Sequence, residues 1–280
     1  MHDDDPPGRR ELPVDQHPLK RAASTIGGIL VALGLAAAKF KAIFAVLFGL
    51  KWLVLAPKLL LSAGSIFLSL WFYALLFGWK FGVIFILQIL VHEMGHYMTF
   101  RSYGVPVSLP MFIPGLGAFV SSPMTDDPAR NAVAALMGPV YGVLAAGACW
   151  SCGLITGDPF WIAAAYVGFF LNLFNLIPAY PFDGGRVAGA IDGRIWLVGV
   201  ALLVGYVVLF HAYGVFTMLI LAFVLISSIP RGIAAWRGQV DPREHIVEPR
   251  QRVILAIGYF GLIAFAVAGA AATVSHRTLG

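Results

Sequence analysis

The sequence predicts an all-α polytopic membrane protein of about six transmembrane helices, with N-terminal interfacial helices and a short re-entrant β-hairpin. Three observations carry that prediction. Hydrophobic residues make up 59% of the 280 and charged residues only 12%, against roughly 25% charged in a soluble domain. Mean hydropathy is +0.84. Apolar runs approaching the roughly 20 residues of a bilayer crossing recur along the chain, separated by Gly, Pro and basic residues. The net charge of +5 does not point to nucleic acid, because the basic residues flank apolar segments and form no stripe with aromatics.

Residues 1–22 read as a disordered cytoplasmic tail: Asp3, Asp4 and Asp5 are consecutive, prolines are frequent, and the basic-then-apolar order of a secretory signal is missing. Over 23–58 an apolar stretch gives way to Lys39, Lys41, Lys51 and Lys58. That spacing suits interfacial helices whose ammonium groups snorkel to the headgroups. A membrane core is expected over 59–194 and C-terminal transmembrane helices over 195–280.

Within the core, 59–79 is the first span, turned at Gly78-Trp79-Lys80, and 81–100 returns. Between 101 and 130 the prolines and glycines exclude a continuous helix, yet 107–120 is strongly apolar. Met111-Phe112-Ile113 and Gly117-Ala118-Phe119, joined around Pro114-Gly115, predict a re-entrant hairpin. Non-helical backbone at membrane depth survives only where protein or a cavity covers it, so the hairpin should border a site and not lipid.

Segment 131–155 carries small residues that permit close helix packing, and 160–177 follows after Gly157-Asp158-Pro159. Pro178 and Pro181 stop that helix, with Asp183-Gly184-Gly185 read as a turn. Further spans are expected at 195–210 and 213–229, then a polar loop over 230–251 and a last span at 253–274. Cys149 and Cys152 lie in an apolar segment with no βαβ pattern beside them and read as small buried residues. A cytoplasmic N-terminus places 17 of the 19 Lys and Arg on the inside, which predicts a multi-pass protein of the plasma (inner) membrane in that orientation.

His92-Glu93-Met94-Gly95-His96 sits in this apolar setting. Each ionisable side chain near a bilayer centre costs roughly 2.5–3.5 kcal/mol, so the default reading is a functional site turned inward. Residues four apart share one helix face, and His92 and His96 can both offer a nitrogen to one metal ion. Glu93, beside the first ligand, can take a proton from water that the metal activates. A catalytic zinc needs a third protein ligand. Asp183 is the best candidate, ahead of Asp192. Asp158 falls on the opposite side, and Asp126 and Asp127 read as solvated. Asn175 is read as a catalytic or substrate contact and Asn172 as a tie between helices. A metal carrier is the competing reading, since intramembrane His and Asp also line ion paths. A carrier needs neither a base at Glu93 nor a hairpin.

HEMGH in a span, followed by Asn175-Leu176-Ile177-Pro178-Ala179-Tyr180-Pro181-Phe182-Asp183-Gly184-Gly185, resembles the site-2 protease family of intramembrane zinc metalloproteases and its Asn-Pro-Pro-Asp-Gly-Gly pattern. Residues 111–120 resemble that family's membrane-associated hairpin, and Gly138-Pro139 the start of its third core helix. The resemblance covers about 59–186. It implies Zn2+ on His92, His96 and Asp183, and Glu93 as general base and then acid. It implies Asn175 as a hydrogen-bond donor to the substrate carbonyl or oxyanion. Met111, Phe112, Ile113, Gly117, Ala118 and Phe119 would offer an edge to an unwound strand of a single-span membrane protein. One departure stands out: many relatives carry Asn three residues after the Pro of the Gly-Pro pair, where this chain has Gly142.

Overall fold

The computed structural model describes residues 39, 41, 56–115, 117–239 and 247–279. The expected tail over 1–22, and the expected interfacial helices over 23–58 apart from 39, 41 and 56–58, lie outside the described residues. Helix α1 spans Ala56–Phe77. It is followed by α2 (Trp79–Ser102), β1 (Met111–Ile113), β2 (Gly117–Phe119), α3 (Pro128–Thr156), α4 (Pro159–Asn175), α5 (Asp183–Ile191), α6 (Ile195–Leu209), α7 (Val215–Trp236) and α8 (Pro249–Leu279). Among the described residues, five helices are long and apolar enough to cross a membrane: α1, α2, α3, and most of α7 and α8. Helices α4 and α6 are shorter apolar helices. This is an all-α polytopic membrane architecture with one small antiparallel sheet.

The two faces of α2 show what solvent it is built for. Its buried side holds Gln88, His92, Glu93 and His96 beside Ile86, Ile89 and Phe100, while Val83, Leu87, Val91 and Met98 are exposed. Polar-in and apolar-out is the arrangement a helix adopts in lipid, where ionisable groups must find partners inside the bundle. The turn from α1 into α2 runs through Gly78 at φ 84°, a backbone region open to glycine at little cost.

Helix α3 packs between α2 and α4, and α8 covers α3 and α4. Asp127 caps α3 by accepting from the backbone N–H of Ala129 at 2.9 Å and Arg130 at 3.2 Å, and Asp158 caps α4 by accepting from Phe160 N–H at 2.9 Å. Each cap precedes a proline at the first helical position, where no N–H is missed. Asp127 therefore has a structural use beyond simple solvation. The Asp158 carboxylate also pairs with Lys80 at 3.0 Å, tying the start of α2 to the start of α4. The Phe160 N–H and the Lys80 ammonium together hold its pKa below the usual carboxylate range.

Two sequence expectations are corrected. Asp183-Gly184-Gly185 is the first turn of α5 and not a loop turn. A Cβ on Gly184 would lie 2.3 Å from the Leu176 carbonyl oxygen, and one on Gly185 would lie 2.5 Å from the Ala179 carbonyl carbon. The two glycines serve close packing of α5 on the preceding loop. The polar loop expected from 230 is also shorter, because α7 continues through Pro230 to Trp236. Proline disturbs the carbonyls of the preceding turn, and the Arg231 guanidinium donates to one of them, that of Ser227.

The hairpin pairs Met111 with Phe119, Phe112 with Ala118 and Ile113 with Gly117. Its first strand is fastened to α1. The Phe112 N–H donates to Ser65 Oγ at 3.1 Å, and Ser62 Oγ donates to the Pro110 carbonyl at 2.6 Å. The Phe112 ring is buried with Tyr73, Ile86 and Ile89.

Candidate metal centre

The helix period places His92 and His96 on one buried face of α2, 4% and 7% exposed. The turn into α5 brings Asp183 to them from the far side of the motif. His92 Nε2 and His96 Nε2 are 3.2 Å apart, and Asp183 Oδ2 lies 3.2 Å from each. Zinc–ligand bonds of about 2.0–2.1 Å at tetrahedral angles put ligand atoms about 3.3 Å apart, so the triangle has the size of a zinc face.

The outer hydrogen bonds decide which atoms carry lone pairs. His96 Nδ1 lies 2.8 Å from the Ala134 carbonyl, which can only accept, so Nδ1 carries the hydrogen. His92 Nδ1 lies 2.8 Å from Asn172 Oδ1. The Asn172 amide is oriented by its Nδ2, which donates to the Gly168 carbonyl at 2.8 Å, so Oδ1 must accept from His92 as well. Both Nε2 atoms thus present lone pairs toward the Asp183 carboxylate. Three lone-pair donors converging at 3.2 Å repel one another unless a cation or proton lies among them, and the donor set fits a zinc ion.

Glycines carry this geometry. A Cβ on Gly95 would lie 2.3 Å from the Met137 carbonyl oxygen, and one on Gly138 would lie 2.1 Å from His96 Nε2. Helices α2 and α3 therefore touch backbone to backbone beside the ligands. The segment from Leu176 into the first turn of α5, which bears Asp183, is held from three later helices. Tyr259 Oη on α8 donates to the Leu176 carbonyl at 2.5 Å, Trp196 Nε1 on α6 donates to the Gly185 carbonyl at 2.7 Å, and Ser228 Oγ on α7 accepts from Tyr180 N–H at 3.0 Å.

A cavity of about 810 Å³ opens onto the ligands and is lined by Glu93, Asn175, Gly117, Ala118 and Phe119 among others, with Leu219, Ile220 and Phe223 of α7 forming part of its wall. Glu93 is 6% exposed. Asn175 uses one Nδ2 hydrogen on the Leu171 carbonyl at 3.2 Å, which leaves a second to donate. The structure brings together His92, Glu93, His96, Asn175, Asp183 and strand β2. Met111, Phe112 and Ile113 of β1 are not among the cavity-lining residues and stand behind β2 against α1. Asp192 does not join the cluster, its carboxylate accepting instead from Arg194 N–H at 2.9 Å. Cys149 and Cys152 are free, the first of them buried. Asn172 is the residue that sequence reasoning undervalued, because polarity in an apolar helix marks both asparagines alike and only their partners distinguish them.

The sequence model of peptidase family M50 matches residues 80–158, a stretch that contains His92, Glu93, His96 and the hairpin but stops before Asn175 and Asp183. A zinc metalloprotease of Methanocaldococcus jannaschii is 27% identical over 123 residues, 43% of this chain and 35% of the relative. The aligned part thus spans about a third of the relative's length. The likeness to peptidase family M50 thus rests on the segment that carries the two histidines, the glutamate between them and the hairpin.

Proposed function

We propose that the chain is an intramembrane zinc metalloprotease that hydrolyses peptide bonds in or next to transmembrane segments of single-span membrane proteins, as in regulated intramembrane proteolysis. One observation carries this reading: a zinc-sized triad of His92, His96 and Asp183 at 3.2 Å spacing, opening with Glu93 into a cavity walled by a β-strand. Zinc held there supplies the Lewis acid that makes water a nucleophile near neutral pH. Glu93 takes the proton from the attacking water and returns it to the leaving amine. The spare Nδ2 hydrogen of Asn175 meets the carbonyl oxygen as it gains charge.

Strand β2 solves the substrate's problem. A helical peptide bond is shielded by its own turns, so the scissile segment must become extended before water reaches it. The outer edge of β1 is occupied by α1 through Ser65, whereas Gly117, Ala118 and Phe119 face the cavity. The open edge is that of β2, and the unwound strand adds there. The distribution of basic residues supports a cytoplasmic N-terminus and a cytoplasmic-side ligand end of α2, and the plasma (inner) membrane is the proposed location.

The test is cleavage of a single-span substrate by the purified chain reconstituted in liposomes. Glu93→Gln should keep its zinc and lose cleavage, while Asp183→Asn should lose zinc as well. Cleavage at the wild-type rate by Glu93→Gln would sink the mechanism.

A further inference from the structure

We propose that Gly142 and Asn172 form a positioning pair for the metal site, in which the missing side chain at 142 admits the Asn172 carboxamide to His92 and so sets the affinity of His92 for zinc. The proposal rests on reading His92, His96 and Asp183 as a zinc site. Asn172 is fully buried and touches the ligand, not the reacting atoms, through the 2.8 Å contact to His92 Nδ1. By holding the hydrogen on Nδ1 it keeps the Nε2 lone pair on the metal side and stops rotation of the ring.

Space for that contact comes from two glycines on facing helices. A Cβ on Gly142 of α3 would lie 2.1 Å from Asn172 Oδ1 and 2.6 Å from its Cγ, inside the carboxamide itself. On α4, a Cβ on Gly168 would lie 1.7 Å from Gln88 Oε1 and 2.9 Å from the Ala146 Cβ. Gly168 therefore lets α4 approach α2 and α3 closely, and its own carbonyl fixes the Asn172 amide by accepting from Nδ2. Any side chain at 142 must expel the carboxamide, and His92 then loses its acceptor although every ligand is still present.

A double-mutant cycle on the detergent-solubilised full chain tests the pair, with zinc affinity read by competition with a chromophoric chelator and with thermal unfolding of the metal-free protein in parallel. Asn172→Ala and Gly142→Ala should each lower zinc affinity about 10–100-fold, the range for losing an outer-sphere partner of a ligand. The double variant should bind no more weakly than Asn172→Ala, because alanine at 172 leaves nothing for the new methyl group to displace. A purely structural role would lower the unfolding temperature of the metal-free protein and leave zinc affinity within about twofold, which overturns the proposal. Multiplying losses in the double variant overturn it too. Should Asn172→Ala fail to fold, Gly142→Ala retains every polar group and decides alone by its zinc affinity. A wild-type chain that takes up no zinc overturns the metal reading itself. Zinc binding indifferent to both substitutions overturns only the pair.

Discussion

Replacing Gly138 by alanine should empty the metal site while leaving all three ligands in the chain. The added Cβ would lie 2.1 Å from His96 Nε2, 2.3 Å from Cε1 and 2.8 Å from Cδ2. Ordinary contact needs about 3.5 Å, so the ring must retreat by about 1.4 Å, several times the roughly 0.2 Å tolerance of a metal–ligand bond. The ring is the flexible partner and yields first, giving up its 2.8 Å hydrogen bond to the Ala134 carbonyl. That costs the fold about 0.5–1.5 kcal/mol, within reach of a stability of roughly 5–15 kcal/mol. Metal affinity should fall by more than about 100-fold, or about 2.8 kcal/mol, since a ligand and not merely an outer partner is lost. Gly95→Ala is the control with the opposite outcome. Its Cβ would meet the Met137 backbone oxygen at 2.3 Å, and backbone cannot swing aside, so α2 and α3 must part and folded yield should collapse. Elemental analysis of zinc per chain, with circular dichroism for helix content, separates the two. Full zinc occupancy at wild-type affinity in Gly138→Ala would refute the placement of His96.

Two further outcomes test the scaffold. Tyr259→Phe removes the buried donor to the Leu176 carbonyl and should cost about 1–3 kcal/mol of unfolding free energy, together with a measurable drop in zinc affinity because that carbonyl belongs to the loop before Asp183. Unchanged values in both would show that α8 does not hold the third ligand. Asp158→Asn keeps the cap on α4 but loses the charge that pairs with Lys80. The folded-state pKa of Asp158 is depressed, so its charge stabilises above the unfolded value and that stabilisation disappears as pH falls. Thermal unfolding should therefore differ slightly between wild type and variant at pH 7 and converge below about pH 4; a gap that persists in acid would point to the cap instead.

Helix α2 shows what can be read without tertiary information. Four-residue spacing puts His92 and His96 on one face whatever the helix packs against, and the cost of burying charge in lipid turns that face inward. The hairpin was legible for a similar reason, since prolines and glycines in an apolar stretch leave few conformations and membrane depth leaves fewer environments. That Asp183 joins His92 and His96 was legible through its motif. Its local structure was not, because a double glycine reads equally as a turn and as a site of close approach, and the Leu176 and Ala179 carbonyls that decide between them arrive only on folding.

The sequence by itself determined the membrane class, the zinc-type pair on α2 and the inward polarity of that helix, because these follow from periodicity and transfer cost along one segment. Tertiary structure alone decided which asparagine touches His92, which strand of the hairpin lines the cavity, and which glycines must lack a side chain. Those depend on distances between segments such as the 80 residues separating His92 from Asn172, and no local pattern encodes a contact whose two sides meet only after three helices have packed.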